Sequence, residues 1–303
     1  MSPNAAVRTL MSGAIDYAGL FPPAGLAMSD AVARYASYRG GRHAWMLGRF
    51  IVPAARLEEC ITAFSALLSA AEGKTAAASP WRLAVIAKPA DAGTLAAFNA
   101  RYASRLVIDT VETPVVRADD PEALAGLGGL AQTYTVFAEV GWATDPAATI
   151  SALAAVRVRA KIRTGGVTAA EIPDAAAVAR FILACRHARV PFKATAGLHH
   201  AWRAEYPLTY APDCPRATMY GFLNLLLASA AAVSGADTAE VEQTLTAGLG
   251  TAFEDRGCVL PSGRALPTEL LAAARTAAVT SFGSCSFEEP VAELTERGLL
   301  WST

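Results

Sequence analysis

The feature that most constrains this chain is a repeated alternation. Short apolar runs of β character are each followed by an amphipathic helical segment, seven times before residue 200. The runs are Ile15–Phe21, Trp45–Val52, Trp81–Lys88, Leu106–Glu112, Tyr134–Val140, Arg159–Thr164 and Pro191–Ala196. Between them Leu57, Ile61, Phe64 and Leu68 recur at helical spacing, as do Val178, Phe181, Ile182 and Cys185. Ser29-Asp30, Asp120-Pro121 and Asp145-Pro146 are helix openers, because their side chains accept from the first unpaired N–H groups. Proline at the first helical position supports the last two.

Alternation of this length calls for a parallel sheet, since a parallel crossover needs a connecting helix and those helices must cover the sheet. Eight such units in a chain of 303 residues suit an α/β fold of the (β/α)8 TIM-barrel type. The eighth strand is expected near Cys258–Leu260, with a helix over Thr268–Val279 after it. A doubly wound open sheet is the competing arrangement, but no G-x-G-x-x-G follows a strand, so a dinucleotide site has no support. No linker divides the chain. It reads as a single barrel domain over residues 1–303, with an insert at about 201–255 after the seventh strand.

Composition narrows the partners. Apolar residues make up 53% and charged residues 17%, enough for a large core and too little charge for a disordered chain. The net charge is −1 with no Lys/Arg cluster, which argues against nucleic acid. Cys60, Cys185, Cys214, Cys258 and Cys285 are scattered without a C-x-x-C, and the first residues lack the apolar stretch of a signal peptide. A reduced, cytoplasmic protein is the expectation. The uncharged run Ala217–Ala236 has 20 residues, long enough to span a bilayer, but carries Asn224, Ser229 and Ser234 and no basic flank. It is expected to be a buried helix, with no membrane partner. A small-molecule substrate is expected, and self-association into a homo-oligomer stays open.

Barrel active sites gather at the C-terminal ends of the strands, and there the runs carry Lys88, Asp109, Glu112, Glu139, Lys161, Arg163 and Lys193. The chain has four lysines against 22 arginines, and three of the four stand at these strand ends. Strand residues alternate between faces, so Lys161 and Arg163 share one, as do Lys193 and Thr195. If the sixth and seventh strands are neighbours, Lys161 and Lys193 approach each other in the barrel mouth. Two ammonium groups held close in a poorly solvated site lower each other's pKa, and a neutral lysine amine attacks a carbonyl to form a Schiff base. The alternative is that both lysines serve as structural ion-pair partners of Asp109, Glu112 and Glu139.

Ala-Lys-Ile-Arg-Thr-Gly-Gly around Lys161 and Pro-Phe-Lys-Ala-Thr-Ala-Gly around Lys193, 32 residues on, resemble the two lysine strands of deoxyribose-phosphate aldolase, a class I aldolase barrel. Val-Ile-Asp-Thr-Val at Asp109 and Gly48-Arg49-Phe50-Ile51-Val52-Pro53 echo the same family. The resemblance implies a lyase without a cofactor, in which Lys161 forms the Schiff base, Lys193 tunes it and Asp109 shuttles protons. Glu139 is a second candidate for the proton transfers. Residues 159–197 carry the specific match. The family's Gly-Gly phosphate turn after the seventh strand is replaced here by Ala196-Gly197-Leu198-His199-His200, and Arg163 stands where the family has a small residue. These departures put a phosphorylated sugar in doubt. Arg163 would then bind a substrate carboxylate or phosphate, with Glu112, His199, His200 and Lys88 as further binding candidates.

Two other readings stand beside this one. His199 and His200 with nearby carboxylates could serve a metal-dependent lyase, isomerase or hydrolase, though adjacent histidines on an extended chain diverge. A non-catalytic binding barrel would leave the strand-end charges mutually satisfied and no open pocket. Ser281-Phe-Gly-Ser-Cys-Ser-Phe287 could cradle an anion, or Ser286 could cap the last helix through Ser286-Phe-Glu-Glu289. Cys285 could be a nucleophile beside a base. Asp16 and Tyr17 could line the mouth, and Tyr206–Pro215 could form part of a lid.

Overall fold

A computed structural model describes residues 4–70, 79–248, 250–254 and 256–300. Its strands are β1 (Ile15–Tyr17), β2 (Leu47–Pro53), β3 (Trp81–Ile86), β4 (Leu106–Val115), β5 (Thr135–Glu139), β6 (Arg159–Arg163), β7 (Phe192–Thr195), β8 (Ala204–Pro207), β9 (Arg216–Met219), β10 (Ala252–Glu254), β11 (Gly257–Val259), β12 (Ala265–Pro267) and β13 (Val279–Ser284). The helices are α1 (Ala5–Met11), α2 (Met28–Gly40), α3 (Leu57–Ala70), α4 (Ala92–Tyr102), α5 (Pro121–Leu130), α6 (Ala147–Ala155), α7 (Ala175–Ala188), α8 (Phe222–Val233), α9 (Thr238–Thr246), α10 (Thr268–Ala277) and α11 (Glu288–Glu296).

Strands β1 to β7 and β13 close into a barrel of eight parallel strands, with β13 seated between β7 and β1. The fold is a (β/α)8 barrel. Asp120 caps α5 as its sequence implies, accepting from the Ala123 N–H, and Asp145 accepts from the Ala147 N–H at the start of α6. Ser29 and Asp30 lie inside the first turn of α2, which has no side-chain cap.

The eighth strand is not where the apolar pattern put it. Cys258 belongs to a three-stranded antiparallel sheet, β10–β11–β12, outside the barrel. The eighth barrel strand is β13, and the helix over Thr268–Ala277 precedes it rather than following it. The added material after β7 therefore runs past residue 255 and comprises the β8–β9 hairpin, α8, α9, the small sheet and α10.

Helix α8 accounts for the long uncharged run. Its residues from Phe222 to Ala232 are all buried, with α7, α9 and α10 packed against it. A helix enclosed on every side must be apolar all round. Its polar side chains are paired internally: Asn224 donates to the Thr244 and Ala247 carbonyls and accepts the Arg203 N–H, and Ser229 donates to the Leu225 carbonyl. No helix among the described residues is long and apolar enough to cross a membrane.

Register places the candidate site. Glu139 pairs with Lys161 across β5–β6, Lys161 with Lys193 across β6–β7, and Lys193 with Ser281 across β7–β13. In-register neighbours point to the same face, so these four residues all point into the barrel. Their alternates Ile162, Ala194 and Phe282 are fully buried on the side that meets the helices. Beyond these residues the turns after β6 and β7 touch. A Cβ on Gly165 would come within 2.8 Å of the Gly197 Cα, and Gly197 itself has φ +75°. Beside it Ala196 holds φ +66°, a conformation uncommon for a residue with a side chain.

Candidate active site

Five charged side chains form a row of alternating sign inside the barrel. The Lys193 ammonium donates to Asp16 Oδ2 and Glu112 Oε1, each at 2.6 Å. The Lys161 ammonium lies 3.3 Å from Glu112 Oε2 and 3.2 Å from Glu139 Oε2. Glu112 thus bridges the two lysines with its two oxygens. Asp16 also accepts from the Ser281 hydroxyl at 2.7 Å and from the Arg49 backbone N–H at 2.8 Å. Asp16, Glu112 and Lys193 have at most 1% of their surface exposed, so each charge depends on the others.

The pKa directions follow from that dependence. Burial alone would lower Lys193, but the Asp16 and Glu112 carboxylates outweigh it and hold its pKa above the ordinary lysine value. Burial alone would raise Asp16, but Lys193 and Arg49 hold it below the usual carboxylate range. The same balance, with Lys193 and then Lys161 as the cations, holds Glu112 down. The expectation that neighbouring ammonium groups depress each other is therefore corrected for Lys193, which is a fixed cation. Three carboxylates stand among the two lysines, and a lone lysine pair would have lacked them.

Two sequence candidates lie elsewhere. Asp109 does not join the lysines: its carboxylate is held by the guanidinium groups of Arg49 and Arg82. An irregularity in the β3–β4 pairing falls at Asp109, which lies next to the Leu83 level, whereas Glu112 lies level with Ile86, nearer the strand ends. Glu112 is thus the β4 carboxylate that meets the lysines. Lys88 is exposed and does not line the cavity described next. Its chain begins a short 3₁₀ turn, and its backbone N–H bonds to Asp91.

A cavity of about 440 Å³ opens onto this row. Lys161, Glu112 and Arg163 reach it from the barrel, while Lys193 stays behind them. Phe21, Pro22 and Pro23 form one wall, and Pro207–Tyr210, leading out of the β8 strand, form another. The Tyr206–Pro215 segment is therefore the end of β8 and the tip of the β8–β9 hairpin, and its residues Pro207–Tyr210 line the cavity. His199, His200, Cys285 and Glu289 also line it.

The histidines diverge. His200 bonds through Nδ1 to Glu293 and stacks on Tyr206 at a centroid distance of 3.4 Å. His199 Nδ1 lies 3.1 Å from Ser284 Oγ and 3.4 Å from Glu289 Oε2. The Ser284 hydroxyl donates to the Ser286 carbonyl at 2.6 Å, so its oxygen accepts from His199 and Nδ1 carries the proton. Cys285 Sγ sits 3.7 and 3.8 Å from the two ring nitrogens, beside the ring rather than in line with either. Burial pushes the Cys285 thiol up to about 11, which makes it a poor nucleophile. The Ser286 hydroxyl accepts from the Glu289 N–H in the first turn of α11, but the Ser286 N–H bonds to Ser284 Oγ rather than to Glu289, so only half of the capping box its motif implies is formed. Among the described residues, no three His, Cys, Asp or Glu side chains are grouped so as to hold a metal ion.

Burial, with His200 adding to it, lowers His199 to about 4. An unfolded histidine titrates near 6.5, so unfolding takes up a proton between these values, and folding stability falls as pH drops from about 6.5 toward 4. The loss is expected to approach about 3 kcal/mol, on top of carboxylate protonation at lower pH. Urea titrations from pH 7.5 to 4 would read it, and His199→Gln should flatten the slope above pH 5.

Sequence reasoning missed Glu171, Glu293 and the Ser281–Asp16 bond. Thr168-Ala-Ala-Glu171 is a capping-box pattern, which was the available signal for Glu171. No family model, curated protein or solved structure matches this chain. The fold and the site geometry carry the functional reading.

Proposed function

We propose that this barrel is a lyase of the aldolase type, acting on a small polar carbonyl compound through a Schiff base at Lys161. The observation that carries the reading is the pairing in register of two strand-end lysines, of which only Lys161 faces the cavity. Lys161 passes a proton to Glu139, 3.2 Å away, and the freed amine attacks the substrate carbonyl. Loss of water leaves an iminium, which draws electrons from a bond on the neighbouring α carbon. Either a carboxylate takes the α proton, or it takes the proton of a β-hydroxyl, the Cα–Cβ bond breaks and the β fragment leaves as an aldehyde; both routes leave an enamine, which regains a proton at the α carbon before water releases the amine. Lys193, pinned by Asp16 and Glu112, keeps a positive charge beside this centre and holds Glu112 in place.

The metal reading finds no ligand group among the described residues, and the binding-barrel reading expects no open pocket, whereas Lys161 lines a cavity. The test is exchange of α-hydrogens for deuterium when a panel of small ketones, aldehydes and oxo acids is incubated with the protein in D₂O. Exchange above background is expected for at least one compound, and Glu139→Gln should slow it by about 100-fold. No exchange across the panel would sink the reading.

A further inference from the structure

Arg163 stands two residues after Lys161 on the same face of β6, about 6.6 Å further along the strand. The two cations share one carboxylate: Lys161 Nζ is 3.2 Å from Glu139 Oε2, and Arg163 Nε is 3.9 Å from Glu139 Oε1. The second contact is too long to be a hydrogen bond. The Arg163 guanidinium makes no hydrogen bond among the described residues, and the side chain is 43% exposed where it lines the cavity. Its planar fork therefore faces the cavity without the bidentate partner that suits it.

The other acid near Arg163 has one oxygen committed. Glu171 Oε2 accepts from the Val167 N–H, the Thr168 N–H and the Thr168 hydroxyl, at 3.0, 3.0 and 2.9 Å. These N–H groups follow Gly165-Gly166, the turn at the mouth of β6 where successive backbone donors could have cradled a phosphate. The chain fills that cradle with its own carboxylate, so tightly that a Cβ on Gly166 would lie 2.3 Å from the Glu171 carboxyl carbon. A phosphate dianion at Arg163 would meet Glu171 and find those backbone donors taken. A single carboxylate needs only the guanidinium fork.

We propose that the substrate is a short oxo acid, with one carboxylate bound by Arg163 and lying within roughly three carbons of the carbonyl that Lys161 attacks. This rests on the Schiff-base reading of Lys161 and adds the substrate class. No bond is made or broken at Arg163. It aligns the carbonyl with the amine by holding the other end of the molecule.

The experiment compares borohydride trapping of pyruvate, levulinate, acetone and dihydroxyacetone phosphate at equal concentration, with the initial rate of adduct formation at Lys161 read by mass spectrometry. At least one oxo acid should be trapped about tenfold or more faster than acetone and than the phosphate ester. In Arg163→Met the ratio of oxo acid to acetone should fall to near one, and Arg163→Lys should restore part of it. Because the ratio is taken on a single protein sample, loss of folded material cancels. Equal trapping of acetone or of the phosphate ester by the unmodified protein, or an unchanged ratio in Arg163→Met, would overturn the substrate class and leave the imine standing. Failure to trap any of the four would overturn the imine and this proposal with it.

Discussion

Lys193→Met is expected to destabilise the fold by about 3–5 kcal/mol, the cost of removing one partner from a buried ion pair. Asp16 and Glu112 are each 1% exposed and both depend on this ammonium. Methionine has nearly the same length, so packing changes little and the loss is electrostatic. Asp16 would keep the Ser281 hydroxyl and the Arg49 N–H, and Glu112 would keep Lys161, which limits the damage without cancelling it. Urea unfolding at pH 7 reads the difference. Adding Asp16→Asn to the same chain should recover part of the loss, because one stranded charge is then gone. A loss under about 1 kcal/mol would mean that water reaches these groups and that the row is not a buried unit.

The second large effect falls on chemistry rather than stability. Lys161→Arg should cut α-hydrogen exchange and borohydride trapping by roughly a thousandfold or more, to the solution background. A guanidinium stays protonated and cannot form an imine. It still carries a positive charge between Glu112 and Glu139, so the carboxylates keep a partner and the barrel keeps its charge balance. Circular dichroism and the urea midpoint would separate lost chemistry from lost fold. Retained exchange in this variant would move the reacting amine elsewhere.

Seven of the eight barrel strands were legible because each is an apolar run set off by helix signals such as Asp120-Pro121. The eighth, Val279–Ser284, was not. Its inward positions are Ser281 and Gly283, which serve Asp16 and the close approach of Thr195, and Thr280 bonds the Phe192 carbonyl. A strand that turns polar and small residues inward lacks the apolar signature. The more hydrophobic Cys258-Val259-Leu260 has that signature, although Cys258 and Val259 belong to the small sheet outside the barrel.

At the site, the lysine pair was legible because two residues in equivalent strand positions become neighbours once the strands pair. The anchoring of Lys193 was not. Asp16 lies 177 residues away, and only closure of the barrel through β13 and β1 brings it there. The choice between Asp109 and Glu112 depended on a local shift in the β3–β4 register. Alternation along a regular strand says nothing about such a shift. Glu171 and Arg163 show the same limit: a capping box and a strand-end arginine are each visible in sequence, but not that one closes an anion cradle beside the other.

The most direct measurement is where the covalent adduct forms. The protein would be incubated with the best-exchanged carbonyl compound and borohydride, digested, and searched for substrate mass on each of its four lysines: Lys74, which lies outside the described residues, Lys88, Lys161 and Lys193. A stoichiometric adduct on the peptide containing Lys161, with Lys193 unmodified behind its two carboxylates, is the expected result. An adduct spread over Lys74 and Lys88, or no adduct at Lys161 with a compound whose α-hydrogens do exchange, would contradict the account.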